Sequence, residues 1–234
     1  MSRFYFEIRY HIMKRIYLFI IPVLLVVSCK KGNNPSFTET ITKGEKWGVK
    51  IGSSHSEIFT KLQQISLEKG FDKIAVVYRQ PFSKPDEIKR YLAFYQAITL
   101  INQTGRIERA VVQFNGDKVN SIGVGGSLLT EVLKWPENVS DQTAIHVNDP
   151  VNEIYDKLLA IYNIPAYSKY QIILPDKTLA KPFDPDMVNY DEWAFSFSSS
   201  VKSGIGSTSS VRLFFKDGRL DKIRHEYMES EILN

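Results

Sequence analysis

Apolar residues recur along this chain with two periods, and the switch between them marks out the elements. Ile58, Phe59, Leu62 and Ile65 fall three or four apart, which makes one stripe of a helix. Ile154, Tyr155, Leu158 and Ile161 repeat that stripe. Ser53 or Ser54 can cap the first helix, and Ser54 with Glu57 three residues on is a capping-box pattern. Asp149-Pro150 supplies a cap and a first-turn proline for the second. Elsewhere the period is two. Strands are expected over 73–79, 91–101, 109–114 and 118–124, and again over 170–174, 192–201, 210–215 and 219–227. Asn115-Gly116 and Asp217-Gly218 separate the last two strands of each set and are hairpin signals. Short extended segments at 48–51 and 144–147 lead into the helices. The Gly/Ser stretch 203–210 reads as a flexible hairpin loop, and 128–133 as a short helix.

The two sets are copies of each other. Val49 to Leu62 lies over Ile145 to Leu158 at a constant offset of 96. A five-residue insertion then moves the offset to 101, where Pro81-Phe82 lies over Pro182-Phe183 and Leu92-Ala93-Phe94 over Trp193-Ala194-Phe195. Gly105 matches Gly206, and Phe114, Val119 and Ile122 match Phe215, Leu220 and Ile223. A series in one order with a single gap indicates duplication. The expected fold is α+β: two tandem copies of a helix packed on a four-stranded antiparallel meander. The copies span 46–126 and 144–234, joined by a connector at 127–143. One sheet face of each copy is left uncovered. Strand alternation puts Leu92 and Phe94 in the core with their partners Trp193 and Phe195, so Tyr91 and Tyr95 fall on the open face as the candidate binding face.

The front of the chain is different. Behind Lys14-Arg15 runs an apolar stretch of 12 residues, Ile16 to Val27, too short for the roughly 20 that span a bilayer. It reads as a signal peptide over 1–28, with Met13 as a second start. The stretch ends Val26-Val27-Ser28-Cys29, which resembles the bacterial lipobox. That resemblance implies a diacylglyceryl group on the Cys29 thiol, cleavage between Ser28 and Cys29, and acylation of the new N-terminus. Residues 29–45, polar with Gly and Pro, then form the lipidated cysteine and a flexible tether. Lys30-Lys31-Gly32 carries no acid. By the same resemblance this directs the protein to the cell envelope, at the periplasmic face of the outer membrane. Ile51-Gly52-Ser53 with Glu57-Ile58 and Leu62 resembles the opening of the β-lactamase-inhibitor-protein-like and SmpA/OmlA-like α+β units; Asn148 departs from the pattern where the second copy should have glycine. Those families bind proteins. The resemblance therefore implies a non-enzymatic protein-binding or assembly module, with the membrane and an unidentified envelope protein as partners.

Charge and chemistry narrow this further. Of the formal net charge of +4, Arg3, Arg9, Lys14 and Arg15 against Glu7 put the excess in residues 1–28. A near-neutral body gives no electrostatic case for nucleic acid. With one cysteine in the chain, the body must be held by its core rather than by disulfides. His55, His146 and His225 lack metal-ligand spacing, and no metal or cofactor is assigned. Asp184 to Glu192 misses the calcium-loop template and reads as a solvated loop. Gly123-Val-Gly125-Gly126 lacks the phosphate-loop Lys-Ser/Thr and reads as the end of a strand. No Gly-x-Ser-x-Gly elbow is present, so no catalytic residue is assigned, and Ser198, Ser199 and Ser200 read as an outward hydroxyl surface. The alternatives are an envelope hydrolase whose residues converge only in three dimensions, or a glycan-binding lipoprotein using Trp47, Trp135 or Trp193.

Overall fold

The computed structural model describes residues 35–102 and 108–231. The architecture below is that of the compact unit Phe37–Asn234, with Ser36 opening its first strand. Its elements in chain order are β1 (Ser36–Ile41), β2 (Glu45–Lys46), β3 (Val49–Lys50), α1 (His55–Lys69), β4 (Lys73–Val76), α2 (Pro85–Ile88), β5 (Ala97–Asn102), β6 (Glu108–Asn115), β7 (Lys118–Gly125) and β8 (Leu129–Val132). There follow β9 (Lys134–Trp135), β10 (Ile145–His146), α3 (Ile154–Tyr162), β11 (Gln171–Ile173), β12 (Lys177–Thr178), β13 (Glu192–Lys202), β14 (Ile205–Lys216) and β15 (Arg219–Glu231). A six-stranded sheet runs β1-β15-β14-β13-β4-β12, and a five-stranded sheet runs β11-β5-β6-β7-β8.

Two tandem copies, each with its helix on its own meander, are not what forms. Among the described residues the fold is mainly β, 46% strand against 20% helix, and the helices are exchanged. Ile58, Phe59, Leu62 and Ile65 of α1 share a core with Trp193, Phe195, Val211, Leu213, Phe215 and Ile223 of the second meander. Ile154, Leu158 and Ile161 of α3 share the other core with Ile98, Leu100, Val112, Phe114 and Ile122 of the first. The strand after each helix crosses over too: β4 pairs with β13, and β11 with β5. A constant sequence offset identifies equivalent residues. It does not say which copy each one packs against, because one apolar stripe fits either apolar sheet equally well.

The loops that open the helices hold the exchange in register. Gly52 N–H donates to Leu220 O at 2.7 Å and Leu220 N–H to Ser53 O at 2.8 Å. In the other half, Asn148 N–H donates to Val119 O at 2.8 Å and Val119 N–H to Asp149 O at 2.9 Å. Leu220 and Val119 are repeat partners, as are Gly52 and Asn148. Both of the latter are left-handed, with φ of 90° and 75°. Asn is the non-glycine residue best suited to that region, which accounts for the break in the motif at Asn148. The two hairpins match as well: each has a register shift beside the paired phenylalanine, at Gln113/Phe114 and Phe214/Phe215.

Several local expectations are corrected. Residues 91–95 are not strand. Pro85 opens a short helix whose Glu87 carboxylate accepts from the N–H groups of Ser83 and Lys84 at 2.7 and 2.9 Å. A 3-10 turn at Lys89–Tyr91 follows, and β5 begins only at Ala97. Residues 129–132 are strand β8 rather than helix. Gly125 allows the tight return: a Cβ there would lie 2.2 Å from Leu128 O. The tether expected over 29–45 stops earlier, because Ser36–Ile41 already forms β1 at the sheet edge. The loop expected at 203–210 is mostly strand, with β14 beginning at Ile205. Ser54 caps α1 as the capping box requires, whereas Asp149 accepts from His146 N–H and Lys157 Nζ, each at 2.6 Å. A 3-10 turn at Val151–Glu153 stands between Asp149 and α3.

Candidate functional site

Tyr91 and Tyr95, expected on an open sheet face, are 2% and 0% exposed. The turns of residues 85–94 fold them inward, where they join a polar seam that neither period in the sequence foretells. Tyr95 Oη donates to Asp184 Oδ2 at 2.9 Å and accepts from Arg79, whose guanidinium also lies 3.5 Å from that carboxylate. Tyr91 Oη donates to Asp186 Oδ2 at 2.5 Å, and Arg90 bridges the tyrosine and the aspartate. Burial, then the bond to Asp186, pushes Tyr91 up to about 12. Burial raises Tyr95 further. Asp184, expected in a solvated loop, is 1% exposed and caps the 3-10 turn Pro185–Asn189 by accepting from Asp186 N–H.

Lys177 lies at the same seam, fully buried. Its ammonium donates to Thr178 O at 2.7 Å and Lys181 O at 3.2 Å, and stands over the rings of Phe59 and Tyr95. Burial lowers it to about 8, against the opposing pull of Asp184. A perturbed lysine often marks a functional site. This one is closed off, and its partners are backbone carbonyls.

A second group does what the sequence did not show: it brings a hydroxyl, an imidazole and a carboxylate into line. His225 Nδ1 is 2.8 Å from Glu39 Oε1, and its Nε2 is 3.0 Å from Ser209 Oγ. Glu39 also accepts from Lys46, and the bonds to His225 and Lys46 hold its carboxyl below the usual range. Trp47 covers the group, its ring 5.0 Å from His225 and 5.4 Å from Phe197. Trp47 and Gly48 have φ of 53° and 76° and turn the β2–β3 hairpin. The order of bonds is that of an acyl-transfer triad, but the surroundings differ. Ser209 and His225 are 5% and 3% exposed. Ser209 sits mid-strand, paired to Phe197 on one side and Tyr227 on the other. Its neighbouring N–H groups are therefore committed to the sheet rather than converging on a developing oxyanion. The geometry satisfies a buried histidine on both ring nitrogens.

The third feature is an open edge. β4 pairs with β13 only at Trp193 and Ala194. From Phe195 to Lys202, no described strand pairs with β13 on the side away from β14. Every second residue of that edge points its N–H and C=O outward. Ser196, Ser198, Ser199, Ser200, Val201 and Lys202 are exposed and Phe197 half-buried. Edges of this kind are ordinarily blunted by charge, proline or a bulge. Here the first charge is Lys202, beside a register shift between Ser200 and Lys202. Where β4 ends, the edge opens into a notch of about 360 Å³ lined by Phe71, Asp72, Lys73, Asp176, Ser196 and Arg212 among others.

The remaining candidates are structural. Trp193 and Trp135 are buried in the two cores. His55 stacks on Phe215 at 3.8 Å, and His146 Nε2 faces Asp141 O. Among the described residues, no group of three or more His, Cys, Asp and Glu could hold a metal ion, and no helix is long and apolar enough to cross a membrane. Ser28, Cys29 and Gly105 lie outside the described residues. In comparisons with known proteins, no family model, no curated protein and no solved structure matches the chain.

Proposed function

We propose that this protein is a lipid-anchored envelope protein, held by Cys29 at the periplasmic face of the outer membrane, that works as a non-enzymatic protein-binding or assembly module. The observation that carries this reading is the open β13 edge. Along Phe195 to Val201, every second residue presents backbone hydrogen-bonding groups that no described strand uses, with no charge before Lys202, next to a notch that can receive a side chain. Strand addition uses such an edge: backbone bonds supply affinity and pockets supply specificity. The anchor supplies proximity. Only six residues separate Cys29 from β1, and a fully extended chain of that length reaches about 20 Å.

The test places a photo-crosslinking side chain at Ser198 in the lipidated chain within its own envelope, with exposed Leu67 on α1 as the control position. Adducts are expected at Ser198 and not at Leu67. They should be lost with Cys29→Ser, which also releases the protein from the detergent phase. An unmodified Cys29 thiol on mature protein overturns the anchor, and no adduct at Ser198 above the control overturns the edge. A hydrolase is the second reading, favoured by the order Ser209–His225–Glu39. It requires that a fluorophosphonate label Ser209 and that Ser209→Ala abolish the label.

A further inference from the structure

We propose that the half of the molecule built on the five-stranded sheet carries a site for a small zwitterion of the α-amino-acid class, in a cleft lined by Glu108 and Arg109 at the start of β6. The cleft measures about 260 Å³, and Val124, Trp135 and Tyr170 wall it. Pockets for drug-sized ligands begin at about 300 Å³, so this one suits a smaller molecule. Its two charged residues have opposite sign, and among the described residues neither is ion-paired. Glu108 accepts from Tyr170 Oη through Oε2 at 3.1 Å. The Arg109 guanidinium is a fork of N–H donors. Its Nη2 donates to Ser127 O at 3.3 Å, and its Nε is buried without a partner. Such an orphaned donor calls for a partner from outside the chain. Gly125 is the cross-strand partner of Arg109, so no side chain on β7 stands directly against the guanidinium.

The equivalent place in the other half is filled from within. At the repeat offset of 101, Glu108 and Val124 stand where Ser209 and His225 stand. Trp47 and Trp135 each belong to the short hairpin that precedes a helix. There, β1 brings the Glu39 carboxylate onto His225, and Trp47 covers both. Here, β8 takes the position of β1 at the sheet edge. Its acid, Glu131, lies opposite Gly123 and so on the other sheet face from Val124. The chain therefore supplies Arg109 with no carboxylate, and a ligand's α-carboxylate can take the fork in two parallel bonds. Glu108 Oε1, left free by Tyr170, then takes the α-ammonium, while the ligand's side chain lies against Val124 and Trp135. Two opposite charges side by side favour a zwitterion over a simple acid or a simple amine.

Calorimetry on the full chain, kept in detergent, tests the site with L-phenylalanine and two derivatives. L-Phenylalaninamide lacks the carboxylate, and N-acetyl-L-phenylalanine lacks the ammonium. L-Phenylalanine is expected to bind at least about tenfold more tightly than either, the worth of one charge-assisted bond. Arg109→Gln should remove its advantage over the amide and leave binding of the amide unchanged. Glu108→Gln should remove its advantage over the acetyl derivative and leave binding of that derivative unchanged. Arg109→Lys, which keeps the charge, should restore part of the preference. No saturable binding of L-phenylalanine by the unsubstituted chain, or equal affinity for all three probes, overturns the site. So does a preference that survives in Arg109→Gln.

Discussion

The two sheet-and-helix bodies of this molecule are built from equivalent residues and finished differently. The six-stranded body has a helix of 15 residues, closed by a capping box at Ser54 and a left-handed Gly70. Its three long strands, β13 to β15, run 11 to 13 residues. The five-stranded body has a helix of 9 residues with no side-chain cap, and its central strands run 8. Length changes what a strand can do. The 8-residue strands of the smaller sheet are paired on both sides, β6 between β5 and β7 and β7 between β6 and β8. The longer β13 outruns β4, and the surplus becomes the open edge. The two cores are thus built alike, and the open edge arises where one strand extends past its neighbour.

The largest effect that could break this comparison comes from the cores. Leu62 and Leu158 are repeat partners and both fully buried. Replacing either with Ala should cost about 2–5 kcal/mol. Because the helices are exchanged, the damage should appear in the opposite half. Leu62→Ala should lower amide-exchange protection first in β13, β14 and β15, and Leu158→Ala first in β5, β6 and β7. Loss of protection in each helix's own half instead would contradict the exchange.

Most elements were legible, and the seams between them were not. The stripes of α1 and α3 and both Gly-ended hairpins are local signals, set by side chains a few residues apart. So is the left-handed position shared by Gly52 and Asn148. The exchange is long-range, and periodicity carries no address. Tyr91 to Tyr95 alternates over too few residues to tell a strand from a pair of turns, and Pro85 with Glu87 was the overlooked signal for the turn. Ser209 and His225 could have been brought together from the Asp217-Gly218 hairpin: one register shift pairs Val211 with His225 and leaves Ser209 two residues along. Glu39 could not, since it lay in a stretch read as tether. Asp184 looked exposed because its partners Arg79 and Tyr95 are about a hundred residues away.

A smaller effect separates the two bodies by pH. Folding lowers Lys177 from its ordinary value of 10.5 to about 8. Between those values the unfolded chain binds more protons, so stability should rise as pH climbs from about 8 to 10.5 and be lowest below 8. In the five-stranded body, burial instead raises Tyr91 and Tyr170 to about 12, and Tyr162 in the same direction. Their contribution is complete below pH 10 and is lost as pH rises through the folded values. Denaturant midpoints should therefore increase from pH 8 to 10 and fall beyond it. Lys177→Met should raise stability at pH 7 and flatten the first rise, which can reach about tenfold in the folding equilibrium per pH unit. An unchanged rise in Lys177→Met would mean that the ammonium is not the group responsible.

The smallest effect tests whether Gly52 and Asn148 do the same work. A Cβ at Gly52 meets nothing within 4 Å, so a substitution there reports backbone conformation alone. At φ of 90°, Gly52→Ala should cost roughly 1–2 kcal/mol, the penalty of left-handed backbone for an ordinary residue. Gly52→Asn should recover part of that, because Asn enters the region more readily. Asn148→Gly should be nearly neutral, and Asn148→Ala should lose about as much as Gly52→Ala. Urea midpoints of the four variants decide the matter. Matching losses at the two positions mean that the bonds from Gly52 to Leu220 and from Asn148 to Val119 hold the two bodies by one rule. If Gly52→Ala were silent while Asn148→Ala destabilised, the loop before α1 would tolerate either hand. The register of the six-stranded body would then be set elsewhere, by the packing of α1 on the long hairpin.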